Sequence, residues 1–322
     1  MKLGVFTVLY QNVPFEDALD RLQALGVEAV EIGTGNYPGA RHCDASDLLA
    51  DEERARAFRK TVESRGMIIS ALSQHGNPLH PQSEVAQRAH DTWRSTVQLA
   101  ELLEVPVVNA FSGCPGDSDG SRYPNWVTCP WPDDFLEILE WQWNEKVIPY
   151  WSAEATYAEQ HGIRIGFEMH PGFVVHNTRT MLRLREACGS AVGANLDPSH
   201  LFWQGMDPVE VIKILGAEDA IFHLHAKDTQ IDRRNTAVNG VLDTTHYGEL
   251  LDRSWVFRTV GYGQGEKVWR DIISTLRATG YDYVLSIEHE DGYMSIDEGL
   301  RRGVELLQSI LFKEPVGQMW WA

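Results

Sequence analysis

Short apolar runs rich in β-branched residues alternate along this chain with longer segments whose apolar positions recur at helical spacing. The runs predict strands over Lys2 to Leu9, Val27 to Ile32, Met67 to Ser73 and Pro106 to Phe111. Four more follow over Ile163 to His170, Gly193 to His200, Ala220 to Asp228 and Tyr283 to Asp291. Between them lie helical patterns. The first, Phe15 to Leu25, is apolar at 15, 18, 19, 22 and 25 and is closed by Gly26. Others cover Asp51 to Ser64, Val85 to Leu103, Thr178 to Ala187, Pro208 to Leu215, Val268 to Ala278 and Ile296 to Leu311. Phe135 to Gln160 reads as helix in two pieces, because Pro149 removes an interior donor and clashes with the preceding turn.

Two connections are long: Ser112 to Pro132 after the fourth strand, and Thr229 to Gly265 after the seventh. Strand and helix otherwise alternate without a break in composition, which specifies a parallel sheet with helices outside it. The fold class expected is α/β, a single (β/α)8 TIM barrel over residues 1–322 with long loops after strands 4 and 7. An open, doubly wound sheet is the alternative.

Composition narrows the classes of function. Hydrophobic residues make up 43% and charged residues 23%, enough for a large core and too apolar for disorder. A formal charge of −18 speaks against binding to nucleic acid or to an anionic membrane surface, both of which need Lys and Arg contacts. Cys43, Cys114, Cys129 and Cys188 form no C-x-x-C pair, so neither a disulfide framework nor a zinc knuckle is indicated. Leu3 to Tyr10 is too short to span a membrane and no cleavage site follows it, so a cytoplasmic enzyme is expected.

The chemistry sits at the ends of the last four strands. Buried strands seldom carry Glu, Asp or His without a partner, since unpaired charge is costly away from water. Here Glu168, Asp197, His223 or His225, and Glu288 stand where chemistry in a parallel barrel is placed, at the C-terminal rim. His225 is nearer its strand's end than His223, which would lie one layer deeper. Alternation puts His170 on the face of Glu168 and turns His289 away from that of Glu288. A lone buried His is more often a satisfied core group than a ligand; four such groups on four successive strands reverse that expectation. Three carboxylates and an imidazole suit a hard or borderline divalent ion: Mn²⁺, Mg²⁺, Co²⁺ or Zn²⁺.

In their order, Glu168, the D-P-S-H of Asp197 to His200, the H-L-H-A-K-D ending at Asp228 and the S-I-E-H around Glu288 resemble the metal site of the xylose isomerase-like TIM barrels. The likeness runs from Lys2 to about Leu311. It implies one divalent ion, Mn²⁺ above the others, on Glu168, Asp197, His225 and Glu288, with His200 touching substrate. It also implies abstraction of a proton next to the carbonyl of a sugar, as in an isomerase or epimerase, and Glu168, Glu288 and His170 are the candidate catalytic groups. His75, Lys227, Trp126 and Trp131 are candidates for holding the substrate. The ketose epimerases carry a Glu where this chain has Val174 and an Arg where it has Ile231, with Arg233 and Arg234 close by. A second branch of the same superfamily eliminates the aglycone from a 3-keto-glycoside by the same first step.

Other readings remain at this stage. A metal-dependent endonuclease-like hydrolase shares part of the ligand set but needs three zinc ions, and Asn109 stands where one further histidine is expected. A non-catalytic sugar-binding subunit is the other. The expected partners are a sugar or keto-glycoside and either a second copy of the chain or a second subunit. Lys227 and Asp228 could hold substrate hydroxyls or pair with each other. Trp141, Trp143 and Trp151 read as packing residues, and Met319 to Trp321 as a tail docked on its own barrel or on a partner. Gly261 to Gly265 (GYGQG) reads as a tight turn near the site, since it lacks the context of a nucleotide loop.

Overall fold

The computed structural model describes residues 1–321. Among them the strands are β1 Lys2–Phe6, β2 Ala29–Gly33, β3 Ile68–Ser73, β4 Val107–Ala110, β5 Arg164–Glu168, β6 Val192–Leu196, β7 Ile221–Ala226, β8 Asp228–Ile231, β9 Trp255–Arg258 and β10 Val284–Ile287. All but β8 and β9 pair in parallel and close into a barrel in the order β1-β10-β7-β6-β5-β4-β3-β2. The eight-stranded TIM barrel is as the periodicity predicted. The connection after β7 holds the remaining pair, an antiparallel hairpin of β8 with β9.

The helices are α1 Phe15–Ala24, α2 Ala45–Leu49, α3 Glu52–Glu63, α4 Ser83–Leu102, α5 Asp134–Trp141 and α6 Ile148–Gln160. They continue with α7 Thr178–Cys188, α8 Pro198–Trp203, α9 Pro208–Ala217, α10 Arg233–Asn239, α11 Gly265–Ala278 and α12 Ile296–Ile310. The long ones bury a single stripe against the barrel: Trp269, Ile272, Ile273 and Leu276 on α11, and Leu300, Val304 and Leu307 on α12. Each such side chain contributes roughly 1.5–3 kcal/mol by leaving water. Trp143 and Trp151 are buried packing residues, and the Trp151 indole donates to the Ser112 carbonyl at 2.7 Å.

Local chemistry moved several boundaries. The first strand stops at Phe6, short of the expected Leu9, because Thr7–Tyr10 winds into a 3₁₀ turn. The sixth stops at Leu196 rather than His200: Asp197 caps the Ser199 amide and Pro198 takes the first helical position, a helix-start pair that opens α8. The two pieces expected around Pro149 are one continuous run, in which a π-helical stretch at Gln142–Val147 lies between α5 and α6. Pro149 falls two residues past that π-helical stretch, a change of helical hydrogen-bond register beside a residue that has no donor to give. Of the two places expected for the tail, its own barrel is not the one it takes. Trp320 is 88% exposed and Met319 and Trp321 stand out with it, beyond the last anchors, where Arg277 bonds the Glu314 carbonyl and covers the Phe312 ring. Among the described residues no helix is long and apolar enough to cross a membrane.

Polar side chains fill the barrel toward its C-terminal end. Glu31, Ser70, Ser73, Asn109, Asn195, His223, His225 and Ser286 are all buried there. Register slips beside Glu31 on β2 and Asn195 on β6, local irregularities of the kind that re-aim side chains.

Candidate metal centre and active site

Four of these strand ends converge. Glu168 ends β5, Asp197 follows β6, His225 lies near the end of β7 and Glu288 follows β10. One donor atom from each can be chosen so that all lie within 4.8 Å of one another. Asp197 divides its work: Oδ1 accepts from the Ser199 amide at 2.8 Å, while Oδ2 is buried, makes no hydrogen bond of good geometry and faces the Lys227 ammonium at 3.0 Å. His225 Nδ1 is likewise buried and unpartnered, 3.1 Å from Glu288 Oε2 and 3.4 Å from Glu168 Oε2. Buried polar atoms that make no well-aligned hydrogen bond are rare. Two aimed at one cluster of carboxylates fit a site for a divalent cation, and the donors are of the type such ions take.

Behind His225 stands a residue that the strand-end reading passed over. Glu31 on β2 is fully buried and takes His225 Nε2 at 2.9 and 3.1 Å. It also accepts from the Ser73 hydroxyl at 2.5 Å, the Ser286 hydroxyl at 2.7 Å and the Asn109 amide at 3.0 Å. A carboxylate–imidazole pair of this kind fixes the tautomer of a histidine and raises its basicity. The signal was present in the sequence: Ala-Val-Glu-Ile-Gly puts one acid in an otherwise apolar strand. Burial alone would lift the Glu31 carboxyl, but His225 and His223 hold it far below the usual range. His223 lies one layer deeper, between Ser70 at 3.1 Å and Asn195 at 3.2 Å.

Electrostatically the cluster calls for positive charge. Burial would lower the His225 imidazole, yet Glu31, Glu288 and Glu168 carry it well above its ordinary value. Burial would raise Glu288, and Lys227 with His225 brings it down to about 2. Glu168 is held well below the carboxylate range, against its burial, by His200, His225 and His75. Lys227 Nζ lies 2.6 Å from Glu288, 3.0 Å from Asp197 and 3.2 Å from Glu290. It does not pair with Asp228. That carboxylate instead accepts the backbone amides of Thr229, Gly261, Gly263 and Gln264 and the Trp269 indole, and so gathers the glycine turn beneath the rim.

The other sequence candidates separate into two groups. His200 on α8 brings Nε2 to 3.1 Å from Glu168, and His75 brings its own to 3.0 Å. His170 joins them: its ring centroid is 4.1 Å from that of His200, and Nδ1 sits 2.6 Å from the Pro171 carbonyl, so Nδ1 carries the proton and Nε2 is free to accept. Burial, then the neighbouring His200, drives the His170 imidazole down to about 3, which makes it an acceptor of hydrogen bonds and a weak store for a proton. His75 and His170 border a cavity of about 400 Å³ walled by Phe6, Phe111, Phe173, Glu168, Lys227 and Glu288, whereas His200 lines a neighbouring one. Trp126 lies apart, against His176 and beside a second cavity. Trp131 borders neither cavity and is 73% exposed. Arg233 and Arg234 are exposed on α10, and Val174 is buried under the β5 loop.

The fold and this cluster together define a TIM barrel with a carboxylate–imidazole centre at its C-terminal mouth. A family model described as xylose isomerase-like TIM barrel matches residues 19–310, and the chain belongs to that family. It is 38% identical over 314 residues to the uncharacterized protein YfiH of Bacillus subtilis (strain 168), covering 97% of this chain and 99% of that one. Among solved structures it resembles the probable 3-DHS dehydratase AsbF of Bacillus anthracis, with a TM-score of 0.64 at 18% identity over 96% of this chain and 99% of that one. It also resembles a D-psicose 3-epimerase from Clostridium cellulolyticum H10 solved with D-tagatose, with a TM-score of 0.61 at 14% identity over 97% of this chain and 99% of that one. At these identities the two structures share the fold with this chain.

Proposed function

We propose that the chain is a divalent-metal-dependent enzyme that removes a proton next to the carbonyl of a sugar, as an isomerase or epimerase. One observation carries this reading: donor atoms of Glu168, Asp197, His225 and Glu288 lie within 4.8 Å of one another, two of them buried without a well-aligned hydrogen bond, with Glu31 bracing His225 from behind. The four would hold the ion. When bound, such an ion polarises the carbonyl and stabilises the oxyanion that forms as the proton leaves, worth several kcal/mol.

The chain's own groups do the rest. A carboxylate oxygen of Glu168 or Glu288 takes the proton from the carbon beside the carbonyl; its return to the opposite face of that carbon gives the epimer, and its return to the former carbonyl carbon, with the hydroxyl proton passing from one oxygen to the other, gives the isomer. His75 and His200 flank Glu168 at 3.0 and 3.1 Å and keep that carboxylate in place. His170 Nε2 and Lys227 Nζ are the acceptor and donor for substrate hydroxyls. Phe6, Phe111 and Phe173 give the cavity an apolar wall. The hydrolase alternative needs a further ligand at the end of β4, and there Asn109 is committed to Glu31.

The test is solvent exchange. Protein loaded with Mn²⁺ is incubated in D₂O with ketohexoses and 3-keto-glucose, and the sugars are followed by proton NMR. Deuterium is expected at the carbon next to the carbonyl, with the rate reduced at least about 1,000-fold in Glu288→Gln. Absence of exchange across the panel, or full exchange in Glu288→Gln, would overturn the reading.

A further inference from the structure

The connection after β7 buries a positive charge that no carboxylate answers. Arg253, in the turn leading into β9, is 2% exposed. Its Nε donates to the Trp255 carbonyl at 3.0 Å and its Nη1 to the Thr245 carbonyl. No Asp or Glu among the described residues pairs with it: Glu290 lies 3.2 Å from Lys227, Asp291 lies 3.1 Å from Arg258, and Asp243 serves the Thr245 and Ser254 amides. Buried charge is ordinarily paired, because an ion taken out of water without a counterpart loses its hydration and gains nothing. Two rings offset part of that cost. The guanidinium lies 4.3 Å from the Tyr247 ring centroid and 4.5 Å from that of Trp255. Trp255 is itself stacked on Trp203, with centroids 4.6 Å apart and planes 5° from parallel. The planar fork is therefore fixed before any ligand arrives.

It is fixed against open space. Arg253 borders a cavity of about 670 Å³, with Tyr247, Leu250 and Phe257 in the same wall. Unlike Nε and Nη1, its Nη2 has no acceptor in the protein, and it is not closed off from that space. His170 and Glu290 border both this cavity and the one at the metal centre, so one molecule can occupy the two. We propose that Arg253 binds a carboxylate carried by the reacting sugar. The substrate class is then a sugar acid rather than a neutral sugar. A carboxylate is planar and singly charged, so it matches the open edge of one guanidinium in shape and in charge. A phosphate dianion would bring further negative charge beside Glu290 and Asp291, in a wall that holds no other Lys or Arg among the described residues. The inference rests on the reading of the metal centre only for which end of the substrate reacts.

Binding tests it without turnover. Calorimetric titration of the Mn²⁺-loaded protein compares glucuronate, galacturonate and mannuronate, each beside its neutral amide, and glucose 6-phosphate. At least one uronate is expected to bind at least about ten-fold tighter than its amide. Arg253→Met should bring that uronate down to the level of its amide. Arg253→Lys, which keeps the charge without the fork, should retain part of the ratio. Leu250→Glu, which offers the guanidinium a carboxylate from the same wall, should abolish the ratio in a protein that keeps Arg253. If Arg253 only clamped its loop, its loss would weaken uronate and amide alike and leave the ratio intact. No uronate bound more tightly than its amide would overturn the proposal. So would a ratio that survives Arg253→Met or, where that variant does not fold, Leu250→Glu, and so would glucose 6-phosphate bound more tightly than every uronate. Solvent exchange that fails while the uronate preference holds would sink the proton-abstraction reading alone; exchange that succeeds without the preference would sink this one alone.

Discussion

At the scale of single residues, Glu31 exerts the most control for its exposure to solvent, which is nil. Every neighbour that touches its carboxylate donates: His225, Ser73, Ser286 and Asn109. Glu31→Gln would put an amide N–H₂ among those donors and leave at least one buried group unpaired, at a cost of roughly 1–3 kcal/mol. It would also free His225 Nε2 from its carboxylate, and loss of such support weakens metal affinity about 10- to 100-fold. Titration of the chelated variant with Mn²⁺, beside urea denaturation of the same sample, should show both effects; unchanged affinity would refute the bracing role. Much at this scale was legible in the sequence. The donors Glu168, Asp197, His225 and Glu288 could be read from strand ends because the cost of burying charge is local to each strand. Glu31 obeys the same rule, but its strand as read from Val27 to Ile32 also holds the exposed acid Glu28, and its partner His225 is far away in sequence. His170 was legible in position, but not in protonation, because its depressed value arises from burial and from His200, which the sequence does not place beside it.

Whole elements show where that legibility stops. Eight barrel strands and the long helices were readable because their periods, 2 and 3.6, are properties of neighbouring residues. The connection after β7 is different: β8 pairs with β9 across an intervening helix, and only the tertiary structure brings Thr229 opposite Phe257. No periodic pattern marks such a hairpin, so Trp255 and its stack on Trp203 could not be read in advance. What holds the hairpin to the barrel is the Asp228 carboxylate with its ring of backbone donors, and Gly263 makes that approach possible. A methyl at 263 would collide with the Thr229 carbonyl and with Asp228 Oδ1, both fixed by the same network. Gly263→Ala is therefore expected to destabilise the protein by roughly 1–3 kcal/mol. Urea titration should record this as a lower midpoint at unchanged slope; a midpoint equal to wild type would show that the turn is slack and Asp228 is not its anchor.

For the molecule as a whole, charge decides how stability responds to the ion. The chain carries −18 overall and brings Glu168, Asp197 and Glu288 together at one buried point with Glu31 close behind. Lys227 and a protonated His225 are what offset that concentration of negative charge in the chain's own complement of side chains. A divalent cation held on the same donors would do so more completely, and would bind only the folded state, because the four donors come from four strands and no stretch of unfolded chain assembles them. Ligand present at about 100 times its dissociation constant adds about 2.7 kcal/mol to unfolding. In a barrel of this size that raises the midpoint on the order of 5 °C. Chelated protein scanned with and without Mn²⁺, and with Mg²⁺, Co²⁺ and Zn²⁺ for comparison, should show a shift of this order for the preferred ion. In Glu288→Gln the shift should shrink severalfold, since one charged donor is gone. A melting curve indifferent to all four ions would mean that the cluster is an internal salt-bridge network, held by Lys227 and His225 for structure alone.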